Sequence, residues 1–325
     1  MPMLYATLPE EVRGKYFSPD QAVIGVSGIL TLLLCAASFQ FLSPYDAFFA
    51  QYLYAIVGTG LTLYFLSRFK DPPKPEATSL REIRQITPKL CLRRSPFRQY
   101  LGFMMTYALM GTAFVPLQAY YLKVEAQIGS DRILVYTALQ FLGAILGTVI
   151  LRNRIDRIGV KPVFRLSLLV GGVINCYWFF LVRGESCLLS ILPVAYFLFG
   201  LSASLWVTAN LKYLPRVCDE RKQALHVSVH GSVVGLVGGF APIFWGFMVK
   251  ESGNQAGVRE GAFSIFFAAF LVIQVALLIY VPHLTSQFRD RKALQTGSGL
   301  LRPFRYLSNL INVIPENRDK QKPPV

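Results

Sequence analysis

Apolar residues along this chain come in blocks, not in stripes. Eight runs, at 22–42, 47–67, 99–120, 133–151, 166–182, 188–211, 224–249 and 261–281, contain no Asp, Glu, Lys or Arg. Runs of roughly 20 residues match the length a helix needs to cross a ~30 Å hydrocarbon core. A soluble helical bundle would instead show amphipathic faces, with charges turned to solvent. The pattern predicts an all-α integral membrane protein with eight transmembrane helices joined by short polar links.

Composition sharpens this picture. The chain is 53% hydrophobic and 16% charged, whereas soluble domains average about 25% charged. A net charge of +15 raises the question of nucleic acid, but its distribution answers it. The alternate links at 1–21, 68–98, 152–165, 212–223 and 282–325 hold 28 of the 33 Lys and Arg residues, and those at 43–46, 121–132, 183–187 and 250–260 hold five. That bias is the positive-inside rule. It puts both chain ends in the cytoplasm of a cell membrane and makes membrane lipids, not nucleic acid, the partner of the basic side. Residues 1–21 carry Glu10, Glu11 and Asp20 and show no apolar core of a cleavable signal. The five cysteines (Cys35, Cys91, Cys176, Cys187, Cys218) have neither metal nor disulfide spacing and read as reduced, small apolar filler. Nothing in the pattern calls for a cofactor or a metal.

The links add organisation. Leu8-Pro9, followed by Glu10-Glu11 and then Arg13 and Lys15, has a counterpart in Leu214-Pro215, followed by Asp219-Glu220 and Arg221-Lys222. The separation is about 200 residues, and each copy precedes the last two spans of a half, as in an internal repeat. The longest internal link, 68–98, is broken by Asp71-Pro72-Pro73-Lys74-Pro75. Thr78 or Ser79 is placed to cap a short helix over 80–86 before Pro88. In the basic tail, Leu300, Phe304, Leu307, Ile311 and Ile314 recur at helical spacing beside Arg302 and Arg305, which suits an interfacial helix. Within the spans, Gly143 and Gly147, and then Gly231, Gly235 and Gly239, form small-xxx-small rows that predict close helix contacts. Pro116, Pro193 and Pro242 interrupt the helical ladders.

The link 152–165 carries the most specific motif. It reads Arg-Asn-Arg-Ile-Asp-Arg-Ile-Gly-Val-Lys-Pro-Val-Phe-Arg and follows the second span of a six-span set. Asp156, Arg157, Gly159 and Lys161 resemble, in order and spacing, the loop signature Gly-x-x-x-Asp-Arg-x-Gly-Arg-Lys/Arg of the major facilitator superfamily. Arg152 stands in the place of the signature glycine, and Val160 replaces a basic position. Pro9–Lys15 resembles that family's Arg-Gly loop between spans four and five.

The resemblance implies a helical bundle with the last two spans of an N-terminal half in 1–67. An interdomain linker at 68–98, a complete six-helix C-terminal half in 99–281 and a cytoplasmic tail at 282–325 follow. Four further spans of the family pattern would precede Met1. The resemblance also implies that Asp156, Arg157, Gly159 and Lys161 act as a conformational latch. The start of the first span near Asp20–Ala22 is the partner of Asp156, and Asp219 or Glu220 that of the basic residues.

It further implies a central cavity lined by spans 99–120 and 188–211. Tyr107, Thr112, Gln118, Ser202, Trp206 and Asn210 are the candidate solute contacts, with Gln140 and His230 behind them. Each is also a reasonable helix-packing residue. His226 and His230 are the only histidines in the spans and share one helical face, where hydrogen-bonded packing competes with a pH-sensing role. The leading expectation is a secondary transporter that moves a small solute, with or without a coupling ion, by alternating access. The competing reading is a non-transporting remnant or a split subunit whose missing helices come from another chain. An intramembrane enzyme would need paired carboxylates, a metal set or a nucleophile–base pair, and none is patterned here.

Overall fold

The computed structural model describes residues 10–68, 87, 88, 90–151, 154–184, 186–219, 223–251 and 256–284; the side chains of 10–22, 44, 66, 156, 157, 186, 187 and 256–260 lie outside that description. The described residues form eight long helices: α1 (Glu10–Phe41), α2 (Pro44–Leu66), α3 (Pro96–Tyr120), α4 (Ser130–Leu151), α5 (Val160–Val182), α6 (Leu192–Val217), α7 (Gln223–Glu251) and α8 (Ala256–Tyr280). Each contains a segment long and apolar enough to cross a membrane. The protein is a multi-pass, all-α membrane bundle.

The helices outrun the apolar blocks because a helix need not end where the hydrocarbon does. α1 has 32 residues, about 48 Å at 1.5 Å per residue, so part of it projects past the core. Local chemistry sets the starts of α2 and α3. Ser43 and Ser95 sit at their N-caps, accept from the backbone N–H of Asp46 and Arg98 at 3.3 and 3.1 Å, and are each followed by proline. α3 continues into a π-helical turn, Tyr121–Glu125, shortly after Pro116. Pro193 lies in the first turn of α6, not in its interior, and Pro215 joins Pro116 and Pro242 as a proline within a helix.

The expected link at 152–165 is shorter than its sequence suggested. One helical turn, Ile155–Ile158, is followed by Gly159, and α5 starts at Val160. The expected linker helix over 80–86 and the tail helix lie outside the described residues. Pro88 itself is helical, as are residues 87 and 90–92.

The most extensive pairings are α4 with α6, α1 with α4, α3 with α7, and α5 with both α6 and α8. Their cross-contacts agree in direction. Phe97 meets His226, Tyr100 meets His230 and Thr112 meets Gly238, so α3 and α7 run parallel. Lys161 meets Pro282 and Asn175 meets Gln274, so α5 and α8 run antiparallel. That is what successive crossings of one membrane require.

In lipid, helices attract one another through close packing, not through release of water. The α4–α6 contact shows how. A Cβ on Gly143 would strike the carbonyl of Phe197, one on Gly147 the hydroxyl of Ser204, and one on Gly200 the carbonyl of Gln140. The row Gly231, Gly235, Gly239 behaves differently: nothing lies within 4 Å of a Cβ on any of them. Gly238 is the α7 glycine that touches a neighbour, Thr112 of α3. The expected packing row on α7 is thus off by one residue, because the face that meets α3 is set by His226, His230 and Gly238. α2 packs mainly on α1 and leaves Phe49, Tyr52 and Ile56 exposed, as a lipid-facing helix would.

This arrangement makes two glycine positions unequal. Gly200→Ala pushes on a backbone carbonyl that cannot rotate away, so it should destabilise the protein by about 1–3 kcal/mol. Gly235→Ala meets open space and should be neutral, or more stable by up to about 1 kcal/mol. Thermal unfolding of the purified variants in one detergent checks this, and equal midpoints would contradict the packing.

Candidate functional site

Near the basic end of the bundle, α3, α6 and α7 bring aromatic rings and polar groups into one layer. Tyr100, Phe103 and Tyr107 share a face of α3 at helical spacing. Tyr107 stacks on Trp206 of α6 with centroids 3.8 Å apart and 24° between the planes. Phe103 also stacks on Trp206, at 5.4 Å, and Phe164 of α5 meets Trp206 edge-on at 5.1 Å.

One turn toward the basic end, Tyr100 is fully buried. Its hydroxyl donates to the side-chain oxygen of Asn210, and its ring lies parallel to that of His230, 5.6 Å away at 7°. His230 is itself buried, and its Nε2 has no hydrogen-bond partner among the described residues. His226, one turn back, sits edge-on to Phe97 at 4.8 Å. The layer can recognise a small polar solute by ring stacking and hydrogen bonding. The apolar blocks around it supply no formal charge.

Four of the expected cavity residues therefore come together: Tyr107, Trp206, Asn210 and His230. The others do not join them. Thr112 Oγ1 lies 2.8 Å from the carbonyls of both Ala108 and Gly238 and ties α3 to α7. Ser202 forms a reciprocal pair with Ser167 of α5, each hydroxyl at 2.8–2.9 Å from the other's carbonyl. Gln140 is half-buried on α4, where its main-chain oxygen meets Gly200. Gln118 is buried near the opposite end of the bundle, 11 residues from Tyr107 and hence about 16 Å along the helix. Its Nε2 has no partner among the described residues.

Tyr100 was missed by sequence reasoning. Its signal was available, since positions 100, 103 and 107 repeat at i, i+3, i+7, but an apolar block beginning at 99 makes its second residue look peripheral. The pairing of Asn175 Nδ2 with Gln274 Oε1 at 2.7 Å links two polar residues 99 positions apart, which no local pattern signals.

At the motif link, Gly159 has φ +85° and ψ 164°, a conformation close to glycine-only. It separates the helical turn from α5. Lys161 Nζ donates to the carbonyl of Pro282 at 3.0 Å, so the start of α5 is fastened to the turn after α8, where helix carbonyls favour a cation. This contact was not among the expected partners. The side chains of Asp156 and Arg157, and residue Glu220, lie outside the described residues.

The eight long apolar helices define a multi-pass membrane protein. The chain belongs to the major facilitator superfamily, whose family model, described as Major Facilitator Superfamily, matches residues 100–312. The match takes in α3 to α8. No curated protein matches the chain. Members of this family carry small-molecule solutes through lipid membranes, and this protein is one of these multi-pass carriers.

Close by, just past the end of α6, Cys218 packs into the same buried cluster as Tyr100 and Tyr213. Burial pushes its thiol up from 9.0 to about 12. The folded chain therefore keeps this proton while the unfolded chain loses it above pH 9, so the contribution of Cys218 to stability falls as pH rises from about 9 to about 12. At pH 8 a thiol reagent should modify Cys218 only after denaturation; mass spectrometry of the labelled protein checks this.

Proposed function

We propose that the protein is a secondary transporter that moves a small, polar solute by alternating access, and that the solute meets the layer formed by Tyr107, Trp206, Asn210 and His230. One observation carries the reading. A stacked aromatic pair, a tyrosine–asparagine hydrogen bond and a buried imidazole nitrogen lie together where the first, fourth and fifth helices of the six-helix set converge. Aromatic faces supply contact area and the amide and imidazole supply directional bonds. The layer is built on helices from the matched family region, not on links that differ in length.

The motif link complements this as the conformational latch. Gly159 separates the helical turn from α5, Lys161 anchors the start of α5, and Asp156 and Arg157 exchange partners as the basic side opens and closes. The basic links, with 28 of the 33 Lys and Arg residues, favour a cytoplasmic location for both chain ends in a cell membrane. In this reading 1–67 is the helix pair of the other half, 68–98 the connector and 282–325 the tail. A remnant or split-subunit role is the second reading, favoured by α2, which leaves its large apolar residues exposed and packs mainly on α1.

Four measurements bear on these assignments. The protein has three tryptophans, so a Trp178→Phe/Trp245→Phe background leaves Trp206 as the sole reporter. Titration with a solute panel should give saturable fluorescence change for the transported solute, and Asn210→Ala should weaken it by about tenfold, as for loss of a buried hydrogen bond of roughly 1.4 kcal/mol. Proteoliposomes that take up none of the panel, with no change in emission, would favour the non-transporting reading. A variant retaining Cys91 as its only cysteine should react with a membrane-impermeant maleimide in inside-out vesicles and not in right-side-out ones. Asp156→Asn should shift the labelling of basic-side positions toward the open state, and unchanged labelling would remove the latch.

A further inference from the structure

We propose that the cleft between the basic-side ends of α3 and α8 is a binding slot for one anionic phospholipid of the cytoplasmic leaflet. The cleft has a volume of about 860 Å³. Arg94 and Arg98 stand at its mouth, Gln99 follows, and Gly102, Leu277 and Tyr280 line its walls; none of its lining residues is acidic.

Its two ends differ in chemistry. At the mouth, Arg98 donates from one guanidinium nitrogen to the carbonyl of Leu92 at 2.7 Å. That bond holds the group in place and leaves further N–H donors for a phosphate, which guanidinium recognises through two parallel bonds. The first turn of α3, capped by Ser95, adds the positive end of a helix dipole beside the same spot.

Deeper in, the polar character ends. The hydroxyl of Thr106 is turned back to the carbonyl of Gly102 at 2.9 Å, so the wall it presents is hydrocarbon. A Cβ on Gly102 would meet nothing within 4 Å, so the helix surface there is an open trough. The slot runs from Ser95 to Thr106, about 16 Å along the helix axis, which is roughly half of the ~30 Å hydrocarbon thickness. A cationic mouth above an apolar trough one leaflet deep matches a phospholipid with its headgroup at the arginines and a chain along Gly102. A soluble anion would use the mouth and leave the trough unfilled.

The choice of leaflet rests on the sidedness proposed above; binding itself does not, and neither depends on solute transport. The test is native mass spectrometry of the purified full chain, titrated with phosphatidylglycerol or with phosphatidylcholine of the same acyl chains. Wild type should retain phosphatidylglycerol in preference. Each arginine near the membrane surface contributes about 1 kcal/mol, about fivefold, so Arg94→Gln/Arg98→Gln should lose at least tenfold in affinity for phosphatidylglycerol. Gly102→Leu fills the trough, leaves both arginines in place and has room to fold; it should also weaken retention. Arg302→Gln/Arg305→Gln, in the tail, should leave retention unchanged, and inorganic phosphate should not displace the lipid. The proposal is overturned if the cleft variants bind as wild type does, if the tail variant accounts for the loss, or if phosphate competes. Labelling of Cys91 from the extracellular side would overturn the leaflet assignment alone.

Discussion

Close approach of backbones at the α4–α6 contact is the constraint on which the rest of this bundle depends. A bilayer offers no hydrophobic gain for bringing two apolar helices together, so shape must supply the attraction. Gly143, Gly147 and Gly200 let main chains touch where any side chain would collide. α4 in turn carries α1, and α6 carries α5. The remaining helices are positioned from this pair outward, and the aromatic layer inherits its geometry from α6.

Polar groups do the second task, which is to choose one arrangement among many apolar ones. The Ser167–Ser202 pair, the Asn175–Gln274 bond and the Tyr100–Asn210 bond each join different helices. An interhelical bond of this kind contributes only about 0.6 kcal/mol on average in a membrane. Its value lies in register: a helix rotated or shifted by one residue would leave both partners unsatisfied in an apolar medium. The same reasoning separates two uses of polar residues in this protein. Ser202 and Thr112 have their bonding capacity taken up by neighbouring helices. His230 Nε2 and Gln118 Nε2, buried without partners among the described residues, keep theirs.

Function follows from where these uses meet. The stacked Tyr107–Trp206 pair crosses from the first to the fourth helix of the six-helix set, and the Tyr100–Asn210 bond crosses between the same two helices one to two turns nearer the basic end. Any motion that changes the angle between α3 and α6 must break or slide these contacts. In the proposed mechanism, recognition of a solute and helix rearrangement would therefore share residues, which is the physical condition for coupling binding to a change of access. Lys161, fastened to the carbonyl of Pro282, ties the motif link to the turn after α8.

The sequence by itself determined the class, the number of spans and their approximate limits. Charge exclusion from a hydrocarbon core is a local, per-residue penalty and is legible block by block. It also determined the family, through Asp156, Arg157, Gly159 and Lys161, because a tight break between helices needs particular residues at particular spacing. Only the tertiary structure decided which faces meet. In an apolar span every face looks alike, so glycine rows at 143/147 and at 231/235/239 carried the same signal although one packs and the other lies open. Nor could sequence spacing separate Trp206 and Asn210, which join the layer, from Ser202, which turns to α5. One face of α6 carries all three at intervals of four residues, and their roles depend on neighbours that lie 35 to 110 residues away in the chain.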